Sequence, residues 1–532
     1  MLDVLISGGW VIDGTGNPPF RADVAIEGDR IVDVGRLPGA VAERVIDAAG
    51  LHVTPGFIDA HSHSDWTVLS NPTAESAIRQ GVTSEIVGNC GIGLAPVTQA
   101  SLAATNALLR SYAYEGDATW RSFGEYLATI AGMGTSINYA WFVGHSTVRT
   151  AAGATNADPS ESELREMERL ITDAMEAGAL GITTGLELDA GKYAQPPEVT
   201  RMASVVKRFG GMYASHIRNR DVGLAEAMEE FMGYAVAAGG RAQVSHLNVR
   251  ANTGADDGAW ARAVARIEQA RRDGIDVLTD TISMTWGIGL MSGILPPWVL
   301  QDGIAPGLAR LGDPEVRRRL RTECDRYWRF IHRGEWHRVR LVASAQFPEL
   351  NGLTFPEIAS LRGRDEWDCF FDLLVAAGPD ASRMFMYGEL YTEAHLQAMV
   401  SHPLFILAVD AMNSTTQGPL AEQTHQPLVY SGQIYHLTHH VLETGLLRLE
   451  EAIRKMTSMP ASHFGLRGRG LLQPGFTADV VVLDLSRLKA NATLAAPVAY
   501  AEGIEHVLVN GAFVLDGNLH TGARPGRNLL RT

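Results

Sequence analysis

The sequence predicts an α/β protein: a parallel (β/α) barrel with a small β-sandwich formed by the two ends of the chain. In the middle, apolar strand-like runs alternate with helical stretches over several hundred residues, whereas both ends alternate apolar and polar residues between Gly-containing turns. Strand–helix alternation of this length favours parallel strands that close into a barrel. The 532 residues accommodate a barrel of roughly 250 residues or more and a smaller companion.

The β-rich segments at the two ends define the predicted domains. They are residues 4–14, 22–35 and 44–50 at one end and 478–485 and 505–517 at the other. We expect residues 1–55 and 470–532 to form one sandwich, and residues 56–469 to form the barrel. Two separate β domains, paired edge to edge, are the alternative.

The middle of the chain supplies the strands and helices of the barrel. Its strand-like runs are SEIVGNC, INYAWFVGH, GITTGL, GMYASH, AQVSH, DVLTD and LFILAVD. A helix is predicted over 160–178, with Ser160 or Ser162 as its N-cap and Gly178 at its end. Residues 295–351, which include LPPWVL and an arginine-rich helix, break the alternation. We expect this segment to be an insertion over the barrel mouth, with its arginines on a solvated face.

Composition and charge exclude several classes of function. The formal net charge of -15 repels nucleic acid and anionic lipid, so neither is an expected partner. No run reaches the roughly 18 apolar residues of a membrane helix, and the first residues do not resemble a secretory signal. Three scattered cysteines do not form a disulfide framework. We therefore expect a cytoplasmic enzyme with a small-molecule substrate, and a homo-oligomer because barrels of this kind often associate.

The segment TPGFIDAHSHSD contains the most specific chemical pattern. Residues at positions i and i+2 of a strand point to the same side, so His61 and His63 both point into the barrel. An isolated His-x-His pair is weak evidence for a metal site, but the whole segment from Pro55 to Asp65 is highly specific.

Further candidate ligands stand where strand-like runs end, and these are Cys90, His216, His246 and Asp410. Active sites of such barrels lie at the carboxyl ends of the strands, so these side chains converge on one face. Taken singly, each of these residues also fits a structural role. Cys90 fits a buried hydrophobic residue, His216 and His246 fit core residues, and Asp410 fits a helix cap. Together, imidazoles, a thiolate and a carboxylate are ligands that zinc prefers.

These motifs identify a family. The chain resembles the D-aminoacylase (N-acyl-D-amino-acid deacylase) branch of the amidohydrolase superfamily over nearly its full length. The resemblance depends on PGFIDAHSHSD, GVTSEIVGNCGIGLAP, WFVGHSTVR, ASHIRN, VSHLN and GLLQPGFTADVVVLD. Cys90 is diagnostic, because most of the superfamily has a carbamylated lysine where this branch has a bridging cysteine. The resemblance implies a distorted (β/α)8 TIM-like barrel and a β-sandwich built from both ends.

The resemblance also implies a mechanism. One or two zinc ions per chain would be held by His61, His63, Cys90, His216, His246 and Asp410. Zinc lowers the pKa of water and polarises a carbonyl. Asp410 would take the proton of the water and return it to the departing nitrogen. His145, at the end of WFVGH, would orient the carbonyl oxygen, or it has a structural role.

The substrate pocket departs from the family pattern. Relatives that bind an α-carboxylate have a lysine where this chain has Leu247–Asn248 and tyrosines where it has Leu188 and Thr281–Met284. They also have an arginine where it has Leu428. An unpaired buried carboxylate costs several kcal/mol, so the sequence predicts a neutral, hydrophobic amide substrate. The residues predicted to form the pocket are Leu188, Leu247, Met284, Trp286 and Leu428.

Several alternatives stay open. Lys192, Arg218 or Arg250 would hold the anion if the substrate is an N-acyl-D-amino acid. A urea, carbamate or cyclic amide hydrolase, a deaminase or a lactone hydrolase would use the same metal site, because one scaffold hosts many reactions. A non-catalytic relative would be expected to have lost metal ligands, whereas every expected ligand position is filled.

Overall fold

The computed structural model describes residues 1–154, 157–188, 190–324, 327–342, 344 and 346–531. Its strands are β1 Leu2–Val11, β2 Phe20–Glu27, β3 Arg30–Gly35, β4 Ala42–Asp47, β5 His52–Pro55, β6 Phe57–Asp59, β7 Val82–Val87, β8 Asn138–Trp141, β9 Val143–Gly144, β10 Gly181–Gly185, β11 Met212–His216, β12 Arg241–Val244, β13 Asp276–Thr281, β14 Trp286–Leu290, β15 Val339–Val342, β16 Phe385–Glu389, β17 Phe405–Leu407, β18 Val480–Leu483, β19 Ile504–Val509, β20 Ala512–Asp516 and β21 Leu519–His520.

Its helices are α1 Glu75–Ile78, α2 Leu102–Ser111, α3 Phe123–Met133, α4 His145–Ala151, α5 Glu161–Glu176, α6 Pro196–Lys207, α7 Leu224–Ala237, α8 Ala259–Arg272, α9 Pro297–Leu300, α10 Ile304–Leu311, α11 Pro314–Glu323, α12 Phe355–Arg362, α13 Glu366–Ala377, α14 Glu393–Ser401, α15 Pro419–Gln423, α16 Pro427–Tyr435, α17 Leu449–Met456 and α18 Ser458–Phe464. A π-helix over His436–Glu443 continues α16. No helix in the described parts of the chain combines the length and apolar character needed to cross a bilayer.

Parallel strands form the barrel at eight positions: β6, β7, β8 with its continuation β9, β10, β11, β12, β13 and β17. They pair in two parallel sheets, and Phe142 interrupts the third position between β8 and β9. The first and eighth positions meet just beyond their ends. There the amide of Asp410 donates to the carbonyl of His61 at 3.0 Å, and the amide of His63 donates to the carbonyl of Ala411 at 2.8 Å. The prediction of a distorted (β/α)8 barrel is confirmed.

The barrel strands are buried on both faces because helices cover them. Every residue of β7, β10 and β11 is buried, as expected for strands of a parallel sheet between a barrel interior and an outer layer. In the outer layer, α5 begins at the cap Ser160, whose hydroxyl accepts from the amide of Glu163. Ser160, rather than Ser162, is therefore the N-cap. The helix buries its apolar face, including Leu170 and Ile171, against the barrel.

Strands from both ends of the chain belong to one nine-stranded sheet. β5 pairs antiparallel with β18, so that Val53 lies opposite Val482. One apolar core contains residues from both ends, among them Ile6, Val24 and Leu508. The predicted sandwich formed by both ends is present, and the alternative of two separate β domains is not what the described residues form.

The insertion over the barrel mouth is wider than the predicted segment 295–351. A three-stranded antiparallel sheet in the order β14–β16–β15 begins at Trp286 and ends at Glu389. The sequence pattern missed these limits because β14 and β16 are about 100 residues apart and pair only in three dimensions. Asp325, Arg326, Ala343 and Ala345 of the predicted segment lie outside the described residues.

The arginine-rich helix of the insertion is α11. Its arginines form ion pairs, with Arg317 at 2.8 Å from Asp372 and Arg319 at 2.7 Å from Glu323. Arg318 is exposed and pairs with Glu315. These contacts agree with the expected solvated face.

Candidate metal centre

Side chains with metal-binding donor atoms lie together at the carboxyl ends of the barrel strands. They form two groups, and within each group the donor atoms lie within 4.8 Å of one another. The first group is His61, His63, Cys90 and Asp410, and the second is Cys90, His216 and His246. Because Cys90 belongs to both groups, its thiol lies between them. The structure thus brings together all the residues that the sequence predicts as metal ligands.

The thiol of Cys90 and the carboxylate of Asp410 face the same imidazoles. Cys90 Sγ lies 3.3 Å from His61 Nε2 and 3.6 Å from His246 Nε2. Asp410 Oδ1 lies 3.3 Å from Nε2 of both His61 and His63, and Oδ2 lies 3.7 Å from His246 Nε2. These distances leave the donor atoms arranged around a common centre.

Three of these residues have a left-handed backbone, which L-residues adopt at a cost. The φ angles are 53° at Cys90, 37° at His246 and 57° at Asp410. Such conformations cost about 1–3 kcal/mol each and persist where surrounding contacts fix them. The amide of His246 donates to Asp280 Oδ1 at 2.9 Å, and the amide of Asp410 donates to the carbonyl of His61. The tight turns after β7, β12 and β17 therefore direct these side chains toward the barrel axis.

The imidazoles favour anionic forms of the thiol and the carboxylate. Burial disfavours a thiolate, but His61, His216 and His246 outweigh burial and hold the pKa of the Cys90 thiol well below its usual range. Burial likewise opposes ionisation of Asp410, but the same surroundings lower the pKa of its carboxyl below its ordinary value. The centre therefore contains two anionic donors.

Asp280 supports the ligands from behind, and sequence reasoning did not identify it. Its carboxylate lies 3.3 Å from His61 Nδ1 and accepts from Gln243 Nε2 at 2.6 Å. A carboxylate on one ring nitrogen fixes the tautomer that leaves the other nitrogen free to bind a metal. Asp280 ends the run DVLTD, so its strand-end position is the signal that could have identified it.

A buried network of charges supports the second group of ligands. His216 Nε2 lies 2.8 Å from Glu187 Oε2, and Arg220 contacts both His246 Nδ1 at 2.7 Å and His216 Nε2 at 3.2 Å. Arg250 also pairs with Glu187. Burial would raise the pKa of Glu187, but Arg250, His216 and Arg220 lower it below its usual range. Sequence reasoning missed Glu187 and Arg220, because no local pattern links residues on separate strand ends.

The donor set fits zinc. Neutral imidazole, thiolate and carboxylate are its usual ligands, and the burial of His246 beside the cation Arg220 lowers the pKa of His246 to about 4, so its ring is neutral. Nearly all of these side chains are buried, and the carboxylate of Asp280 behind His61 is the kind of outer contact that metal-binding histidines have. The chemistry and position of the residues therefore match a zinc centre.

A pocket opens above this centre. Asp410 and Arg220 lie on its floor together with His63, Cys90 and His216. Its walls are mostly apolar, from the barrel ends and from the insertion: Trp66, Ile92, Leu188, Ile282, Ile288, Leu290, Tyr327, Trp328, Phe385, Leu390, Tyr391, Met412 and Leu428. The insertion therefore forms much of the wall.

Two of the predicted substrate residues line this pocket, and they are Leu188 and Leu428. Leu247 and Met284 are buried in the apolar core, and Trp286 stacks on Tyr387 with ring centroids 5.6 Å apart. The structure thus does not place Leu247, Met284 and Trp286 among the described lining residues. Trp286 is the first residue of β14, and its neighbours on that strand, from Gly287 to Leu290, form the wall instead.

His145 is buried at the start of α4. Its Nε2 lies 2.9 Å from Glu198 Oε1, and Arg149 pairs with the same carboxylate at 2.8 Å. His145 is not among the described lining residues. Its role in orienting a carbonyl stays a prediction, and the contacts of the ring fit the structural alternative.

The candidate anion-binding residues are engaged elsewhere. Arg218 pairs with Glu230 at 2.9 Å, and fully buried Arg250 pairs with Glu187 and Asp221. Lys192 is buried near the ring of Tyr193. Among the described lining residues, Arg220 is the one arginine or lysine.

The chain matches the model of the amidohydrolase family over residues 44–324 and 424–515. It is 35% identical to N-acyl-D-glutamate deacylase of Alcaligenes xylosoxydans xylosoxydans, over 100% of this chain and 97% of the relative. A crystal structure of D-aminoacylase superposes with a TM-score of 0.81 at 30% identity, covering 100% of both chains. N-acyl-D-glutamate deacylase from Bordetella bronchiseptica, complexed with zinc and a phosphonate mimic of the tetrahedral intermediate, gives a TM-score of 0.80 at 29% identity over 99% of both chains.

These similarities extend over the whole chain, and they agree with the ligand set at the strand ends. The chain belongs to the amidohydrolase family, in the branch that contains D-aminoacylase and N-acyl-D-glutamate deacylase.

Proposed function

We propose that this chain is a zinc-dependent hydrolase that cleaves the C–N bond of a neutral, hydrophobic amide. One observation supports the reaction most strongly: Asp410 and Cys90 converge with four imidazoles, and Asp410, Cys90, His63 and His216 of this group line a pocket. The zinc in the related N-acyl-D-glutamate deacylase supports the choice of metal. One or two zinc ions per chain would be held by His61, His63, Cys90, His216, His246 and Asp410.

When bound, zinc lowers the pKa of a water molecule and polarises the carbonyl of the amide. Asp410 acts on the protons. Its Oδ1 accepts the proton that the attacking water releases, and the same proton passes to the nitrogen as the C–N bond breaks. The water oxygen stays on the carbonyl carbon, so the products are a carboxylic acid and an amine. Asp410 suits this role because it is ionised and fixed at the rim of the ligand group.

The composition of the pocket supports a neutral substrate. Leu188 and Leu428 line it where relatives of the D-aminoacylase type have polar residues, and most other wall residues are apolar. Arg220 is partly neutralised by Glu187 at 3.4 Å. A substrate carboxylate would therefore lose water without gaining a free cation, which is costly in an apolar pocket.

A matched pair of substrates tests the proposal. N-acetyl-D-methionine and its carboxamide have nearly the same shape and differ in the charge of one group. With zinc-loaded enzyme, we expect kcat/KM for the carboxamide to exceed that for the carboxylate at least about tenfold, since 1.4 kcal/mol corresponds to a factor of ten. Faster hydrolysis of the carboxylate would overturn the neutral-substrate proposal but leave the amide hydrolase intact.

Arg220 favours a second candidate, an N-acyl-D-amino-acid deacylase. A metal-binding histidine carries its proton on the nitrogen that points away from the metal, whereas Arg220 donates to Nδ1 of His246. With metal present, Arg220 would have to leave Nδ1, and its guanidinium would then be available to a carboxylate. The 35% identity to N-acyl-D-glutamate deacylase is consistent with this candidate.

Arg220→Lys separates the two candidates. If the substrate carboxylate binds Arg220, this variant should lose activity on N-acetyl-D-methionine much more than on the carboxamide, because lysine cannot form the bidentate contact. A similar loss on both substrates would support the neutral-substrate proposal, because Arg220 then acts only through the ligands.

The remaining features of the proposed function concern where and in what form the enzyme acts. We propose that it acts in the cytoplasm as a homo-oligomer. Three free, buried cysteines are typical of a reducing compartment. Size-exclusion chromatography with light scattering measures the oligomeric state, and a monomer at micromolar concentration would contradict it.

A further inference from the structure

A second cluster of metal-binding groups lies between the π-helix and the start of α14, apart from the centre of Cys90. We call it the His439 cluster, and it consists of Glu393, His439 and His440. Each of the three side chains places a donor atom within 4.8 Å of the donor atoms of the other two. In the π-helix, which has a wider turn than an α-helix, the rings of the two successive histidines lie 4.9 Å apart.

The hydrogen bonds of His440 define its tautomer. Nε2 lies 3.0 Å from the carbonyl oxygen of Ser283, and a carbonyl can only accept, so Nε2 carries the proton. Nδ1 therefore has a lone pair. It is buried and has no hydrogen-bond partner among the described residues. This lone pair is therefore available to a metal ion.

His439 lies between two carboxylates. Its Nδ1 is 3.0 Å from Glu443 Oε2, and its Nε2 is 2.9 Å from Glu393 Oε1. A neutral imidazole has one N–H and can satisfy only one of them, so the arrangement needs a positive charge at the ring. A proton or a metal ion supplies that charge. The contact of Nδ1 with Glu443 leaves Nε2 as the ligand atom, in the manner of carboxylate–histidine–metal triads.

We propose that the His439 cluster binds a divalent transition-metal ion of the zinc type, through Glu393, His439 and His440. Two imidazole nitrogens and one carboxylate oxygen suit zinc, and water completes a tetrahedron. Donor atoms around one zinc are about 3.4 Å apart for bonds of about 2.1 Å. Here they lie within 4.8 Å of one another, and His439 Nε2 and Glu393 Oε1 are 2.9 Å apart, so binding of an ion requires only local side-chain adjustment. Glu393 is exposed, which gives the ion a path from solvent.

This site goes beyond the proposed function, because it shares no donor with the centre of Cys90. It joins segments that form the wall of the substrate pocket. Glu393 begins α14 just after Leu390 and Tyr391, and Ser283 follows Ile282. A bound ion would therefore connect the π-helix to the wall and limit its movement.

Counting metal ions tests the site. Full-length protein, stripped with a chelator and dialysed against zinc, is analysed for zinc per chain by mass spectrometry. We expect His439→Ala and Glu393→Gln each to bind one zinc fewer than the wild type. His506→Ala is the matched control, because His506 pairs with Asp516 at 3.0 Å without a third donor. It should bind as much zinc as the wild type.

His439 is partly exposed and Glu393 is exposed, so we expect both variants to fold, and circular dichroism checks each one. Equal zinc in the wild type and both variants would overturn the proposal and leave the cluster as a proton-bridged ion pair. When His439→Ala or Glu393→Gln is combined with Cys90→Ala, the losses of bound zinc should add. If the Cys90 centre binds no zinc, the difference between the wild type and the His439→Ala and Glu393→Gln variants still tests this site.

Discussion

Asp410 faces the imidazoles of His61, His63 and His246, and its left-handed backbone fixes the carboxylate among them. The side chain is about a quarter exposed, whereas His61 and His246 are almost fully buried. It is therefore the acidic donor of the centre that reaches the pocket. A single turn after β17 therefore places the carboxylate next to the imidazoles and at the surface of the pocket.

Asp410→Asn keeps the shape of the side chain and removes its ability to take a proton. We expect kcat for the neutral amide to fall about 10²–10⁴-fold, the usual contribution of a general base. Steady-state kinetics and zinc content are measured together. Asp173→Asn, on the exposed face of α5, is the control. Full kcat in Asp410→Asn would remove this residue from the mechanism.

At this scale the sequence pointed to side chains that the structure brings together, because each one ends a strand-like run or belongs to the motif around His61. It did not identify Arg220, Glu187 or Asp280 as supports of the candidate ligands, although Asp280 ends a strand-like run and could have been found from that position. Arg220 contacts His246 across 26 positions of the chain, and Asp280 contacts His61 across 219 positions, through side-chain geometry that no local pattern encodes. It likewise placed Leu247, Met284 and Trp286 in the pocket, whereas Leu247 and Met284 are buried in the core and the residues that follow Trp286 on β14 line the pocket instead.

Among the elements, the three-stranded sheet of the insertion determines the shape of the pocket wall. Trp328, which lines the pocket, packs against Gly289 of β14 and Gly388 of β16. A Cβ atom at either glycine would lie 2.6 Å from the indole ring. Close approach of the ring to two strands therefore requires glycine at both positions.

Gly388→Ala should displace Trp328 and change the wall. We expect KM for the hydrophobic amide to rise at least about tenfold while kcat changes less, since one methylene in a hydrophobic pocket is worth roughly 10–200-fold in discrimination. Gly35→Ala is the control, because its Cβ would meet no atom within 4 Å. An unchanged KM would show that Trp328 does not contact the substrate.

The helix α5 shows how far local rules predict an element. Its start, its capping box and its end agree with the sequence pattern, because these features depend only on nearby residues. The limits of the insertion do not, because β14, β15 and β16 form a sheet only through distant pairing.

Ser160→Ala removes the cap of α5. We expect the free energy of unfolding to fall by about 1 kcal/mol, since the amide of Glu163 loses its acceptor. Ser162→Ala, two residues further along the chain, should change the free energy of unfolding by less than about 0.5 kcal/mol. Chemical denaturation followed by circular dichroism measures both, and equal effects would contradict the assignment of the cap.

On the scale of the whole molecule, the metal centre joins the strands of the barrel. The candidate ligands follow β6, β7, β11, β12 and β17, so an ion held by them would contact segments from His61 to Asp410. The first and last strand positions also meet through the backbone of these two residues. Binding of the metal is therefore linked to folding of the barrel.

Removal of zinc should lower the thermal stability. At free zinc about 100-fold above Kd, one site adds about 2.7 kcal/mol, and a chelator removes this contribution. Scanning calorimetry with and without chelator measures the change. Cys90→Ala should respond less than the wild type, whereas Cys369→Ala, in the core of α13, should respond equally. A Tm that does not depend on zinc would contradict the ligand assignment.

The pairing of β5 with β18 has a consequence for how the chain is made. Val53 emerges from the ribosome about 430 residues before Val482, its partner across the sheet. At a synthesis rate of about 5–20 residues per second, β5 remains without that partner for roughly 20–90 s. During this interval the edge of β5 has unpaired backbone groups next to apolar Val53, the kind of surface that chaperones cover. The yield of active enzyme in a heterologous host should therefore depend on chaperone supply during synthesis more than on the stability of the finished protein.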